Sequence, residues 1–483
     1  MTAIPHRLPS AIPRLFLGVM LLALSGCAAF RSYNTELTET INMAASGNPG
    51  GAAAALEKRH SSSKRDLLYY LELGELQRLD GRFDASQDAW LAADKQVQAW
   101  EEAAKVNPEK ILGAGASVLI NDKVSPYEGH DFEKVMLTTR MALNHLAIGD
   151  WDTARVDIKR THEREAVIEN LRAKEFEKTE AEAKKRGAKT GFKELNGYPV
   201  QTIDNPEVNA LRNSYQNAFS HYLSGFVYEA LGEPSLAAAG YRQAIELRPD
   251  SPVLEEALSG LDQRIADMDE GKTDVLFVIE SGSAPARVSQ QFNLPIPYRD
   301  RLLIVPVSFP VLKEQDLGNM PSAIHMGGST AAPTTVTSID AMARRSLQEQ
   351  MPGIMLRGII RSTAKAVAQY QTAQQDDTGL ATLAIAIGSI VTESADERAW
   401  RMLPAQVAVA RARVPTGTPY LEADTPSGTQ RIALEAKGRY QVIALRMLRG
   451  RLFIMPPPGP AGDKPEQEAS TTPPSQAFLA AIR

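Results

Sequence analysis

The sequence contains a single cysteine, Cys27, among its 483 residues. One cysteine offers no intramolecular disulfide, and it excludes zinc sites built from several thiolates. Basic residues are not in excess either, because 53 lysines and arginines stand against 58 aspartates and glutamates, for a formal charge of −5. A chain with this balance has no bulk attraction for nucleic acid, so we expect no nucleic-acid partner.

Hydrophobic runs long enough to cross a membrane are also lacking. A spanning helix needs about 20 apolar residues, whereas the two most apolar runs, Leu15–Leu24 and Leu380–Val391, have ten and twelve. We interpret the second run as a buried segment of the core. The first run follows the basic residues Arg7 and Arg14, which is the arrangement of a secretory signal peptide.

Residues 24–27 (Leu-Ser-Gly-Cys) resemble the lipobox of bacterial lipoproteins. The peptidase that cuts before the cysteine needs small residues there, and the thiol is alkylated with diacylglycerol. We therefore predict a signal peptide over residues 1–26 and a lipid on Cys27 that holds the chain on a membrane; the alternative is an ordinary secretory signal with a chance cysteine. Because residue 28 is alanine and not aspartate, the resemblance implies the outer membrane, on its periplasmic side.

From about residue 31 to residue 269, apolar residues recur at spacings of three and four, which predicts helices. Residues 221–249 add small residues where two helices would cross, aromatic residues to fill the space between them, a glycine for the turn and a proline after the second helix. These residues are Gly225, Tyr228, Gly232, Ala237, Tyr241, Ala244 and Pro249. The pattern resembles the tetratricopeptide (TPR) repeat, a pair of antiparallel helices.

Two weaker copies of the pattern come earlier in the chain. Their turn glycines, Gly81 and Gly149, are 68 residues apart, which is twice the TPR period of 34. The longer interval to Gly232 predicts an insertion, which we place in the charged stretch Thr161–Phe192 as a solvated extension of a helix. The matching residues are Gly74, Gly81, Phe83, Ser86, Trp90 and Ala93 in one copy, and Ala142, Gly149, Trp151 and Ala154 in the other.

After Thr273 the sequence changes to β-branched apolar runs bounded by turn residues, which predicts strands. Between these strands we predict a loop over residues 326–333 and a helix over residues 340–371. The helix should break at Pro352-Gly353. The predicted strands are Val275–Gly282, Arg301–Phe309, Thr334–Ile339, Ala405–Val414, Arg431–Ala436, Arg439–Leu448 and Arg451–Met455.

The patterns together predict four parts of the chain. Residues 1–26 are the signal peptide, and residues 27–270 form an α-helical TPR-like repeat domain. Residues 271–455 form an α+β domain rich in antiparallel strands. Residues 456–483 are rich in proline, serine and charge, which predicts a disordered tail.

Five phrases of the sequence carry a wider resemblance. They are YEGHDFEKVML (127–137), ALNHLAIGDWDTARVDIKR (142–160), RNSYQNAFSHYLSG (212–225), ESGSAPARV (280–288) and ADERAWRMLPAQVAVARARVPTG (395–417). Together they resemble a family of largely uncharacterised bacterial TPR-containing envelope lipoproteins. The resemblance implies a lipid anchor, helical repeats and a β-rich C-terminal domain. It implies no established activity, and it points only to the cell envelope, with cell-wall synthesis or envelope assembly as candidate processes.

No catalytic constellation is found in the sequence. It has no H-E-x-x-H motif, no G-x-S-x-G motif and no P-loop, and its seven histidines are scattered. We therefore expect no catalytic residues, no metal and no cofactor. The alternative is an enzyme that acts on an envelope glycan through a carboxylate pair of the C-terminal domain.

One basic stripe is a candidate binding site. Arg357, Arg361 and Lys365 are spaced four residues apart, which places them on one face of a helix. They would bind an anionic ligand such as an envelope polymer. The alternative, which we favour, is that they pair with acids such as Asp396 and Glu397 and lock the helix to the sheet.

A second set of residues stands at the start of a predicted repeat helix: Tyr127, Asp131, Phe132 and Glu133. Acids in a first turn interact favourably with the helix dipole, and aromatic residues fill the core, so we assign no site to them. Because TPR arrays commonly bind a partner on their concave face, the sequence predicts a lipid-anchored periplasmic scaffold or adaptor that binds partner proteins through its repeats.

Overall fold

A computed structural model describes residues 33–60, 65–108, 126–267, 271–298, 301–314, 317–375 and 394–455. Helices fill the first half and antiparallel strands dominate the second, as the sequence predicts. Among the described residues, no helix combines the length and the apolar character needed to span a bilayer. Four predictions lie outside the described residues: the signal peptide, the lipid on Cys27, the buried run Leu380–Val391 and the disordered tail 456–483.

The helices of the first half are mostly arranged as antiparallel pairs. Side chains of Asp66, Asp150 and Asn217 cap the starts of three of them by accepting a backbone N–H. The helices are α1 (Tyr33–Ala45), α2 (Pro49–Arg59), α3 (Leu67–Leu79), α4 (Phe83–Val106), α5 (Asp131–Ala147), α6 (Trp151–Arg186), α7 (Pro206–Ala210), α8 (Ala218–Ala230), α9 (Pro234–Leu247), α10 (Pro252–Ser259) and α11 (Leu261–Ala266).

Four helical hairpins share one turn geometry. They are the first (α1–α2), second (α3–α4), third (α5–α6) and fourth (α8–α9) hairpins. Each turn contains a glycine with positive φ, and the residue after it donates its N–H to the carbonyl five residues earlier. The glycines are Gly47, Gly81, Gly149 and Gly232, and the bonds are Asn48 to Met43 (3.2 Å), Arg82 to Gln77 (2.9 Å), Asp150 to His145 (2.9 Å) and Glu233 to Tyr228 (2.8 Å).

The sequence did not predict the first hairpin, although Gly47 precedes Gly81 by 34 residues. In the fourth hairpin, Ala237, Tyr241 and Ala244 are fully buried. A Cβ atom added to Gly225 would lie 2.5 Å from the Tyr241 ring, so the two helices cross where residue 225 has no side chain.

The second half contains three groups of strands. The central sheet has the order β11-β10-β1-β7-β6, with β1 parallel to β10 and antiparallel to β7. The outer sheet has the order β5-β4-β8-β9, and β2 and β3 form a separate hairpin. The strands are β1 (Lys272–Ser281), β2 (Arg287–Tyr298), β3 (Arg301–Leu312), β4 (Ile324–Met326), β5 (Ser329–Ala331), β6 (Thr334–Ser338), β7 (Gln406–Pro415), β8 (Tyr420–Thr425), β9 (Gly428–Ala433), β10 (Tyr440–Leu448) and β11 (Arg451–Met455).

The central sheet is the middle of three layers. Successive side chains of a strand point to opposite faces. On β1, Leu276 and Val278 join the core that contains the helices, whereas Val275, Phe277 and Ile279 join a second core with the outer sheet. The change from helices to strands falls next to the predicted boundary at residue 270, but the two parts share one hydrophobic core.

Three local predictions differ from the structure. The predicted loop at residues 326–333 contains the last residue of β4, a turn at Gly327-Gly328 and all of β5. Helix α12 (Ile339–Gln375) continues through Pro352 without the predicted break, because the residues around the proline are held in the core, as with Met351 and Ile354. Helix α6 covers most of the predicted insertion, but it is not wholly solvated, because several of its residues, as far along as Leu171 and Ala183, are buried.

Candidate functional site

The first helices of the second, third and fourth hairpins face the central sheet. Arg140 of α5 forms an ion pair with Glu280 of β1. The backbone N–H of Phe219, on α8, donates to the hydroxyl of Thr337 on β6 at 3.0 Å. Strands of the same chain therefore cover the face of the hairpins that these helices form, and a partner protein has no access to it there.

A segment that we call the strap (residues 395–403) fixes α3 and α5 to the sheet. The carboxylate of Glu72 accepts the backbone N–H of Arg401 at 2.6 Å and that of Met402 at 3.0 Å. The carboxylate of Glu133 accepts the backbone N–H of Trp400 at 2.7 Å. Two buried carboxylates on two repeat helices thus bind consecutive peptide groups of one segment.

The surroundings of the strap are aromatic and buried. The Trp400 side chain is fully buried, and its ring meets the Trp90 ring edge-on, with the ring centres 6.3 Å apart. The Tyr127 hydroxyl donates to Glu133 at 2.5 Å. Burial raises the pKa of Glu72 to about 8, against the opposing effect of the two N–H donors.

The residues to which the sequence assigned no site have structural partners. Glu133 is an acceptor for the strap, and it also caps α5 by accepting the His130 N–H at 2.9 Å. Asp131 binds both Lys134 at 3.2 Å and Arg172 at 2.5 Å. These two cations, together with the hydrogen bonds they donate, outweigh burial and lower the pKa of Asp131. The sequence could not show that Glu133 binds the strap, because the strap is distant in the chain.

A second polar junction joins α8 to the sheet. The Glu229 carboxylate accepts from Arg411 of β7 at 2.7 Å, from Arg264 of α11 at 3.1 Å and from the Tyr241 hydroxyl at 2.7 Å. Arg411 also binds Asp274 of β1 at 2.8 Å. Burial raises the pKa of Glu229, but the two arginines outweigh this effect, and the pKa is lowered.

The predicted basic stripe does not form an exposed surface. Arg361 is only 2% exposed, and Arg357 is half-buried. The side chain of Lys365 lies outside the described residues. The acid Asp396 is bound by its neighbour Arg398 at 2.7 Å. The helix therefore turns into the protein at Arg361.

A groove of about 720 Å³ opens between the turn of the third hairpin and the segment that connects β9 to β10. This volume is within the range of about 300–1,000 Å³ that is typical of ligand pockets. Ile148 at its rim is 58% exposed. Polar atoms contribute the larger share of its surface, and the rest comes from apolar and aromatic side chains, among them Leu146, Trp151, Leu434, Tyr440 and Val442.

One wall of the groove is the edge of β10. Strand β11 pairs only with Ala444–Leu448, so it does not cover the beginning of β10. The carbonyl of Arg439 accepts the N–H of Asp274 on β1. Since peptide groups alternate along a strand, those of Tyr440 and Val442 point away from β1, toward the groove. The groove therefore places several apolar side chains beside a strand edge.

Among the described residues, no group of three or more His, Asp or Glu side chains could hold a metal ion. No protein family profile matches the sequence, and no curated protein matches it. Among solved structures, the chain is similar to a tetratricopeptide repeat protein from Parabacteroides merdae ATCC 43184. The alignment covers 48% of this chain and 99% of that chain at 14% identity, with a TM-score of 0.13. At this TM-score the similarity carries no weight for fold or function.

Proposed function

We propose that the protein is a lipid-anchored scaffold of the bacterial envelope that binds a partner protein. The lipobox ending at Cys27 supports the anchor. The hairpins support a TPR-like helical part, because four of them share one turn and two turn glycines, Gly47 and Gly81, are 34 residues apart. The proposal includes no catalytic step, and it places the protein on the periplasmic side of the outer membrane.

The groove carries the partner-binding part of this proposal. The inner faces of α3, α5 and α8 are covered by the chain's own strands, so the partner must use another surface. The strand edge at Tyr440 and Val442, next to the apolar side chains of the groove, suits an extended peptide segment that adds a strand to β10 and inserts an apolar side chain. This segment would continue the antiparallel ladder that β11 begins at Ala444.

The anchor is tested by radiolabelled palmitate incorporation and membrane fractionation of wild type and Cys27→Ala. We expect label and membrane attachment in the wild type and the loss of both in the variant. Ala28→Asp is the matched control, because it should keep the label but move the protein from the outer to the inner membrane fraction. A wild type that takes up no label and is freely periplasmic would contradict the anchor.

The scaffold is tested by crosslinking the intact protein on membranes and sequencing the peptides joined to it. The proposal predicts one recurrent partner segment joined to the groove. Crosslinks that are scattered over the surface, or an absence of any specific crosslink, would contradict it.

A further inference from the structure

The surface of the groove is chemically mixed. Apolar side chains such as Leu146, Trp151 and Leu434 lie beside the polar strand edge at Tyr440 and Val442. A peptide matches this combination, because its backbone donates and accepts hydrogen bonds while its side chains can be apolar. The ligand that fits the groove is therefore a peptide segment with apolar side chains.

The protein's own chain leaves the central sheet next to this groove. Strand β11 runs antiparallel to β10, from Leu448 toward Ala444, and its last residue, Met455, lies opposite Ala444. Val442, whose peptide groups face the groove, is two residues further along β10 in the same direction, or about 7 Å at the usual rise of a strand. The residues that follow Met455 therefore start close to the groove.

The first of these residues cannot fully close the open edge of β10. Residues 456–458 are all proline, and in the register of β11 Pro457 would stand opposite Val442. Proline has no N–H, so it cannot donate to the Val442 carbonyl. The sequence thus interrupts the ladder after Met455 and leaves this edge to another segment.

Only one part of the following sequence carries large apolar side chains. Residues 456–474, which we call the linker, consist of proline, glycine, alanine, polar and charged residues. Residues 475–483 (SQAFLAAIR), which we call the apolar segment, contain Phe478, Leu479 and Ile482 and no proline. Phe478 and Ile482 are four residues apart, which puts them on one face of an extended or a helical segment alike.

The linker is long enough for the apolar segment to reach the groove. It has 19 residues, and a chain of this length spans up to about 60 Å. A tether that exceeds its span gives an effective concentration on the order of 1 mM. A dissociation constant of about 0.1 mM would then be enough to keep the groove occupied in most molecules.

We propose that the apolar segment occupies the groove of its own molecule, with Phe478 and Ile482 among the apolar side chains there and its backbone on the free edge of β10. A partner that uses the groove must then displace this segment, so the segment is an internal competitor. The segment binds whether or not a partner exists, and the inference therefore does not rest on the proposed function.

Photo-crosslinking of the full chain tests this occupancy. The photoreactive amino acid p-benzoylphenylalanine replaces Phe478, and the crosslinked peptides of the purified protein are sequenced after illumination. We expect crosslinks to the groove, within residues 146–151 and 433–442. The same photoreactive residue in place of Ser470, in the linker, is the control and should show no such preference. Crosslinks from position 478 that are scattered over the surface, or absent, would overturn the proposal.

A mixture of isotopically light and heavy protein shows whose groove the segment occupies. Crosslinks within one molecule join light peptides only to light ones and heavy peptides only to heavy ones. Mixed crosslinks at the groove would mean that the segment binds a second copy of the chain, and they would overturn the proposal.

Two pairs of variants locate the contact. With the photoreactive residue in place of Leu479, Phe478→Asp should lower crosslinking to the groove by about tenfold or more, whereas Gln476→Asp should leave it nearly unchanged. On the groove side, Ile148→Asp should have the same effect as Phe478→Asp, and Leu236→Asp should have none. Crosslinking that is unchanged in Phe478→Asp would overturn the proposal.

These crosslinks also separate the proposal from the proposed function. A groove joined to position 478, in a protein for which no partner segment is found, would support the internal competitor and contradict the scaffold. A partner segment joined to the groove, with no crosslink from position 478, would do the reverse. If both are found, deletion of residues 475–483 should raise partner crosslinking by up to about tenfold, the factor by which the tethered segment lowers the affinity for the partner.

Discussion

The indole of Trp90 on α4 occupies the space that a side chain at Gly74 on α3 would need. Its N–H donates to the Leu71 carbonyl at 3.2 Å, and the Ser86 hydroxyl donates to the Gly74 carbonyl at 2.7 Å. A Cβ atom added to residue 74 would overlap the indole ring. The hairpin thus closes around a tryptophan because the opposite helix has a glycine.

Gly74→Ala should therefore destabilise the protein by about 1–3 kcal/mol, the usual cost of overfilling a packed core. The free energy of unfolding in urea measures this loss. Gly191→Ala is the matched control, because Gly191 has an ordinary φ of −77° and open space where the methyl group would lie. The control should change stability by less than about 0.5 kcal/mol. Equal effects of the two substitutions would contradict the packing described for Trp90.

The carboxyl group of Glu72 should make stability depend on pH. Its pKa is about 8 in the folded protein, against 4.5 as its ordinary value. As the pH rises, the unfolded chain releases this proton first, so this contribution to stability falls between pH 4.5 and about 8. Asp157, whose pKa burial raises to about 7, acts in the same direction.

Glu72→Gln isolates the contribution of Glu72 from that of Asp157. The amide keeps one acceptor for the strap but presents N–H groups to the other backbone donor, so we expect a loss of about 1–3 kcal/mol near pH 5. The difference between wild type and variant should shrink as the pH approaches 8. Urea unfolding of both proteins across this range measures the difference. A difference that is constant with pH would show that Glu72 does not titrate there.

Glu229 and Glu233 give a matched comparison of a buried and an exposed ion pair. Glu229 is fully buried with two arginines, whereas Glu233 pairs with the half-exposed Arg155 at 2.9 Å. Glu229→Ala leaves Arg264 without its carboxylate and Arg411 with Asp274 alone, so the loss should be about 3–5 kcal/mol. Glu233→Ala should cost less than about 1 kcal/mol. Unfolding free energies of the two variants check this order, and similar values would refute it.

Ile148 should be a contact residue for the partner if the groove is the binding surface. Ile148→Asp places a charge at the apolar rim, and we expect crosslinking to the partner to fall by about tenfold or more with no change in thermal stability. Leu236→Asp is the control, because Leu236 is 45% exposed and does not line the groove. Equal crosslinking for wild type and Ile148→Asp would exclude the groove.

The helical hairpins could be predicted from the sequence because their determinants are local. A turn glycine, a small residue at the crossing and an aromatic residue opposite lie within one repeat. The first hairpin was missed because its helices lack the aromatic positions of the pattern, and only the spacing of Gly47 from Gly81 indicates it. Strands β4 and β5 have three residues each, too short for an alternating pattern to be visible.

The strap could not be predicted from the sequence. Glu72 and Glu133 look like ordinary helix acids, since their partners at Trp400–Met402 are distant in the chain. The spacing of Arg357 and Arg361 fixes a common face but not whether that face meets solvent or the core. Strand β2 was missed because Pro295 and Pro297 lie within it, and prolines argue against a strand unless its edge is free.

The position of β1 in the central sheet also sets the order in which the protein can be completed. During synthesis β1 emerges soon after the repeats, but its two neighbours, β7 and β10, come much later. Until then the inner faces of α3, α5 and α8 have nothing to pack against, and β1 has two open edges. Such a nascent chain exposes apolar surface and unpaired strand edges, the features that promote aggregation. We therefore expect its biogenesis to depend on a chaperone that holds the helical part until the last strands arrive.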